Sequence, residues 1–85
     1  MTDERPSPSV ADSESIGVHI GERLRTLRKL RKVSQRRLAE AVGLSYQMIQ
    51  KYERGECRIS AAALWRFSST LDVPPSFFFD GIEAD

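Results

Sequence analysis

Residues 34–55, SQRRLAEAVGLSYQMIQKYERG, decide the fold of this chain. Ser34 and Ser45 are each placed to cap a helix, because a serine hydroxyl accepts a hydrogen bond from a first-turn N–H. Gly43 and Gly55 are placed to end those helices, since glycine adopts the left-handed conformation of a C-cap without a Cβ clash. The stretch therefore predicts two short helices joined by a tight glycine turn, the second from Tyr46 to about Arg54 and polar and basic on its free face.

Three further helices are predicted around this pair. The apolar residues between Val18 and Val33 recur at spacings of three and four, which predicts a helix from about 18 to 32; this stripe comprises Ile20, Leu24, Leu27, Leu30 and Val33. Ser60 is placed to cap a fourth helix, from about Ala61 to Thr70, and Pro75 to open a short fifth one. We therefore predict an all-α fold, a compact five-helix domain over residues 17–80. It is flanked by a disordered acidic, Ser- and Pro-rich tail at 1–16 and a short acidic tail at 81–85.

Charge is distributed unevenly along the chain, although the formal net charge is only +1. Residues 18–71 carry twelve basic and four acidic side chains, hence a net charge of +8, whereas residues 1–17 carry −3 and residues 72–85 carry −4. A basic domain between acidic ends favours a polyanionic partner. The alternative is a well-solvated helical surface without a specific partner.

The composition argues against several classes of protein. One cysteine, Cys57, precludes an intramolecular disulfide and leaves too few thiols for a zinc site. With one histidine, His19, and no glycine-rich phosphate loop, we expect no metal, no cofactor and no enzymatic activity. The chain also lacks a signal peptide and an apolar run of roughly 20 residues, which predicts a cytoplasmic protein that does not contact a membrane. Single-stranded RNA is a weaker candidate partner, because the aromatic residues lie mainly outside the basic face.

The spacing from Gln35 through Ala39, Gly43 and Ile49 to Gly55 resembles the helix-turn-helix of the phage repressor and Cro family (XRE-type regulators). The resemblance covers about residues 18–80, and its most specific parts are SQRRLAEAVG and QKYERG. Ala39 is small where the two helices cross, and Ile49 is the apolar anchor of the second one. The resemblance implies a lambda-repressor-like fold that binds double-stranded DNA and places the recognition helix, about 45–54, in the major groove.

Candidate contacts with DNA follow from this placement. The side chains predicted to contact base edges are Tyr46, Gln47, Gln50 and Lys51. Gln47 suits adenine and Lys51 suits guanine, whereas Tyr46 would pack on a thymine methyl group or send its hydroxyl to a phosphate. Gln35, at the start of the second helix, is predicted to contact the DNA backbone with the help of that helix's dipole. The further side chains predicted to contact the backbone are Arg36, Ser45, Arg54 and Arg58. The resemblance further implies a structural salt bridge between Arg28 and Glu53.

A sequence-specific transcriptional regulator is the function that these features predict. The expected form is a homodimer on a two-fold symmetric operator, with recognition helices in major grooves about 34 Å apart. Phe77, Phe78 and Phe79 form a candidate dimer seam, because consecutive helical side chains point roughly 100° apart and cannot all face one core; alternatively, these rings cover the end of the fourth helix. The alternative functions are an antitoxin and an activator that contacts RNA polymerase.

Overall fold

The computed structural model describes residues 13–82, which form four α-helices followed by a short 3-10 helix. The elements are α1 (Ser13–Leu30), α2 (Gln35–Val42), α3 (Tyr46–Arg54), α4 (Ala61–Leu71) and the 3-10 helix (Pro75–Phe79). Within the described range there is no strand, which confirms the all-α class. The predicted fifth helix is therefore a 3-10 turn, which ends where Asp80 returns to an extended backbone conformation.

The boundaries of α1 differ from those predicted. The helix begins at Ser13, five residues before the predicted start, so residues 13–16 belong to it and not to a tail. The rest of the predicted N-terminal tail and residues 83–85 lie outside the described residues. At the other end, α1 stops at Leu30 because the chain turns at Lys32, which adopts a left-handed φ of 59°. Leu30, a member of the predicted apolar stripe, is 66% exposed, whereas Val33 in the following loop packs against the core.

The serine caps and glycine stops of the sequence are present. The hydroxyls of Ser34, Ser45 and Ser60 each accept a hydrogen bond from the N–H three residues on, at 3.0, 3.2 and 3.0 Å. Gly43 and Gly55 adopt left-handed φ values of 76° and 74° at the ends of α2 and α3. Each local signal therefore sets a helix boundary, and together they fix where α3 begins and ends.

The core lies between α1 and the other helices, and it sets the position of α3. Its buried apolar residues are Leu24, Leu27, Leu38, Ala39, Val42, Ile49, Tyr52, Ala63, Phe67, Leu71 and Phe78. The rings of Tyr52 and Phe67 meet edge to face, with centroids 5.9 Å apart. At Gly21, α1 lies directly against the last turn of α3, because a Cβ there would come within 3.0 Å of the carbonyl oxygens of Tyr52 and Glu53.

The three consecutive phenylalanines have three different environments. Phe78 is fully buried in the core, so its prediction as part of a dimer seam is wrong. Phe77 is half-buried, and the guanidinium of Arg23 lies 3.8 Å from its ring centroid while Arg23 Nε donates to its carbonyl oxygen at 2.9 Å. Phe79 is 45% exposed. Of the predicted seam, Phe79 alone is exposed.

Candidate nucleic-acid interface

Helix α3 has one buried face and one exposed polar face. Ile49, Tyr52 and Glu53 point into the molecule, whereas Gln47 and Lys51 are exposed. Because residues four apart are neighbours on a helix surface, Gln47 and Lys51 form a continuous polar strip. An anchored helix with such a strip can present amide and ammonium donors together to a ligand outside the protein.

A groove of about 490 Å³ lies between α1, the start of α2 and α3. Its walls are formed by Arg25, Arg28, Ser34, Gln35, Gln50, Glu53 and Arg54. Three predicted DNA contacts, Gln35, Gln50 and Arg54, therefore meet in one groove beside the polar strip of α3. The exposed guanidiniums of Arg25 and Arg54 make the groove suitable for an anion.

The Arg28–Glu53 ion pair lies in this groove and connects three elements. Arg28 Nε donates to Glu53 Oε2 at 2.6 Å and Nη2 donates to Oε1 at 3.1 Å, with side chains only 10% and 3% exposed. Arg28 Nη1 also donates to the carbonyl oxygen of Val33 at 2.9 Å. Arg28 thereby ties α1 to α3 and to the loop that precedes α2.

Gln35, predicted to contact phosphate, is also bound to Glu53. Its Nε2 donates to Glu53 Oε1 at 3.0 Å, and the side chain is half-buried. A glutamine amide has a second hydrogen, and the first-turn N–H groups of a helix have no partner within the helix. Gln35 is thus fixed by Glu53 while keeping donors that suit a phosphate oxygen.

Arg36 and Tyr46 contact each other across the helix-turn-helix. The guanidinium carbon of Arg36 lies 4.2 Å from the centroid of the Tyr46 ring. Arg36 is exposed, whereas Tyr46 is half-buried and packs against the core. This contact joins the first turn of α2 to the first residue of α3.

The other three side chains predicted to contact the DNA backbone lie in different surroundings. Ser45 Oγ accepts the N–H of Met48, which leaves its own hydrogen to donate. Arg54 Nη1 lies 3.8 Å from Glu56 Oε2, a pair of exposed side chains that contributes at most about 1 kcal/mol and yields easily to another anion. Arg58 is exposed and lines a separate groove beside Gly17 at the start of α1. The structure thus groups Gln35 and Arg54 in one groove but places Arg58 in another.

Sequence reasoning missed Arg25 as a member of the groove. Arg25 lies three residues before Arg28, and residues three apart share a helix face. Since Arg28 was predicted to pair with Glu53 of α3, the same spacing predicts that Arg25 also faces α3. The contact between Arg36 and Tyr46 has no comparable signal, because ten residues and a turn separate them.

Residues 13–82 offer neither a membrane-spanning helix nor a metal-binding cluster. In that range no helix is long and apolar enough to cross a membrane. No group of three His, Cys, Asp or Glu side chains is placed to hold a metal ion there.

The chain is similar in sequence to known proteins of one family. The Helix-turn-helix family model (HTH_3) matches residues 24–78. An uncharacterized HTH-type transcriptional regulator, y4aM, of Sinorhizobium fredii is 36% identical over 80 residues, which cover 94% of this chain and 56% of that protein. The chain spans about half the length of the first relatives that it matches.

Two solved structures are similar over most of the fold. The restriction-modification controller protein C.AhdI from Aeromonas hydrophila has a TM-score of 0.73 and 32% identity, covering 76% of this chain and 98% of that one. The P22 c2 repressor, solved in complex with a synthetic operator, has a TM-score of 0.68 and 34% identity, covering 73% of this chain and 94% of that one.

Proposed function

The chain belongs to the helix-turn-helix family HTH_3, and from that premise we propose that it regulates transcription by binding a two-fold symmetric operator in double-stranded DNA as a homodimer. The observation that carries the proposal is the exposed strip of Gln47 and Lys51 on α3 beside the basic groove. A major groove about 12 Å wide admits an α-helix. The strip then reads base edges while the groove beside it receives a backbone phosphate.

Phosphate binding is assigned to the start of α2 and its surroundings. The N-terminus of α2 carries a partial positive charge that favours an anion, and Arg25, Gln35 and Arg54 lie around it. Contacts of this kind position the protein on the duplex and make binding salt-dependent, but they do not read sequence. Sequence reading is assigned to Gln47 and Lys51, and Gln50 contributes less because it is half-buried at the groove wall.

Selection of bound duplexes from a random DNA pool tests this function. We expect the enriched sequences to share a two-fold symmetric motif with half-sites about one helical turn apart. The Lys51→Ala and Gln47→Ala variants should each weaken binding to the enriched duplex by roughly 5- to 150-fold, the equivalent of about 1–3 kcal/mol per base contact, and relax the preference at one position in each half-site.

Lys29→Ala is the matched control for Lys51→Ala, because Lys29 is an exposed cation on α1 that lines neither of the grooves described above. It should leave the base preference unchanged. If Lys29→Ala and Lys51→Ala altered binding and base preference equally, Lys51 would not be a base reader. If no duplex were enriched by the wild-type protein, sequence-specific DNA binding itself would be refuted.

The dimer is proposed to form through α4 and the 3-10 helix. Trp65 and Phe79 are large apolar side chains that are 64% and 45% exposed, and such surface favours burial against a partner. Of the three phenylalanines in the seam predicted from sequence, the proposed interface keeps Phe79, and it adds Trp65 from α4. Contact with RNA polymerase, or with another protein such as a toxin, remains a prediction from the sequence.

Trp65 also reports on this dimer, since it is the one tryptophan of the chain. We expect its fluorescence emission to move to shorter wavelength as the protein concentration rises through the dimerisation range. Trp65→Ala and Phe79→Ser should shift sedimentation equilibrium toward monomer, whereas Val18→Ala, at another exposed apolar residue beside Gly55, should not. A wild-type protein that sediments as a monomer both free and on its operator would contradict the dimer.

A further inference from the structure

We propose that Tyr46 is a positioning residue: its ring holds the guanidinium of Arg36 at the junction of α2 and α3, where Arg36 binds a DNA backbone phosphate. The inference rests on the proposed function and changes the role of Tyr46 from base reader to support for a phosphate contact. The observation behind it is the 4.2 Å distance between the Arg36 guanidinium carbon and the Tyr46 ring centroid.

The geometry of the pair is that of a cation–π contact between a fixed ring and a mobile cation. A guanidinium within about 6 Å of a ring centroid is attracted by the ring quadrupole, and this distance lies well inside that limit. Tyr46 is half-buried and packs against the core, so its ring is held in place by the fold. Arg36 is exposed and would otherwise sample many rotamers. The ring therefore reduces the conformational entropy that Arg36 loses on binding.

A phosphate is the partner that this position favours. The first helix of a helix-turn-helix crosses the DNA backbone, whereas base edges face the second helix. Arg36 lies in the first turn of α2, where the helix dipole also attracts an anion. The planar fork of a guanidinium matches two phosphate oxygens. With Arg36 over one face of its ring, Tyr46 has less surface to offer a thymine methyl group.

The test compares four variants on the duplex enriched from the random pool, over a range of salt concentrations. Tyr46→Phe keeps the ring and should bind within about two-fold of wild type, whereas Tyr46→Leu should bind about two- to five-fold more weakly, as expected for loss of an exposed cation–π contact. Arg36→Ala should reduce the slope of log K against log salt by about 0.9, the loss of one phosphate contact. The double variant Tyr46→Leu/Arg36→Ala should bind no more weakly than Arg36→Ala alone. Base preference should be unchanged in all four.

If the loss of affinity in the double variant equalled the product of the losses in the two single variants, the proposal would be overturned, because Tyr46 would then act other than through Arg36. A changed preference at one base position in Tyr46→Phe or Tyr46→Leu would overturn it in favour of direct base reading.

The contact itself is measurable without DNA. The side-chain protons of Arg36 should show ring-current NMR shifts in the free wild-type protein and in Tyr46→Phe, and lose them in Tyr46→Leu. Absence of these shifts from the wild type would refute the positioning role. This measurement stays informative even if the wild type enriches no duplex, an outcome that would refute the proposed function instead.

Discussion

Arg28→Ala is expected to lower the free energy of unfolding by about 3–5 kcal/mol, because it leaves the carboxylate of Glu53 buried without its charge partner. Glu53 is 3% exposed in its side chain and receives two of its hydrogen bonds from Arg28. A chain of this size is stable by about 4–13 kcal/mol. The substitution therefore removes a large part of the total stability and should lower the melting temperature by more than about 10 °C.

Urea and thermal melts followed by circular dichroism measure this effect, and Arg25→Ala is the matched control. Arg25 is an exposed arginine one turn earlier on the same helix, so its loss should cost less than about 0.5 kcal/mol. The double variant Arg28→Met/Glu53→Leu should recover much of the stability, since it removes both buried charges. Equal melts for Arg28→Ala and Arg25→Ala would refute the structural role of the pair.

The same carboxylate connects stability to the proposed DNA binding. Glu53 Oε1 also accepts from Gln35, so the ion pair holds the first turn of α2 against α3. The conservative variant Arg28→Lys keeps the charge but not the fork that reaches both carboxylate oxygens. The proposed phosphate and base contacts are thus held in register by a network in which the buried Arg28 and Glu53 contact neither phosphate nor base, and Gln35 links them to the proposed phosphate site.

The helix-turn-helix was predictable from sequence because its signals are local. Ser45 and Gly55 each act within one turn of α3, and the predicted bounds from Tyr46 to Arg54 match the structure. The start of α1 was missed because Ile16, which lies four residues before Ile20 and continues the apolar stripe, stands among serines and a glutamate that were assigned to the acidic tail. Phe78 was missed because a run of three phenylalanines does not show which ring faces the core.

The candidate site was predictable only where exposure follows from helical spacing. Once Ile49 is taken as the buried anchor, Gln47 and Lys51 fall on the opposite side of α3, as the structure shows. The hydrogen bond from Gln35 to Glu53 joins residues 18 apart, and its existence depends on how two helices cross. Relations of that kind arise from tertiary packing, which no local pattern encodes.

Gly21→Ala provides a second large effect, and its sign is opposite to that of the usual helix substitution. Replacing glycine by alanine inside a helix normally stabilises it by about 0.5–1 kcal/mol. Gly17→Ala should do so, because a Cβ at that position meets nothing within 4 Å. At Gly21 the added Cβ would approach within 3.0 Å of two backbone carbonyl oxygens at the end of α3. We expect a net destabilisation of about 3 kcal/mol, at the upper end of the overpacking range.

The physical reason is that the opposing atoms are backbone and cannot change rotamer. The carbonyl oxygen of Tyr52 also accepts the N–H of Gly55 at 3.1 Å, so moving it away from α1 disturbs the C-cap of α3. Gly21→Ala should therefore lower the melting temperature, and its apparent affinity for the proposed operator should fall in proportion to the fraction of protein that remains folded. Gly17→Ala should raise the melting temperature and leave binding unchanged. If both variants raised the melting temperature equally, α1 would not pack on α3 at the distance seen here, and the geometry of the proposed interface would have to be rebuilt.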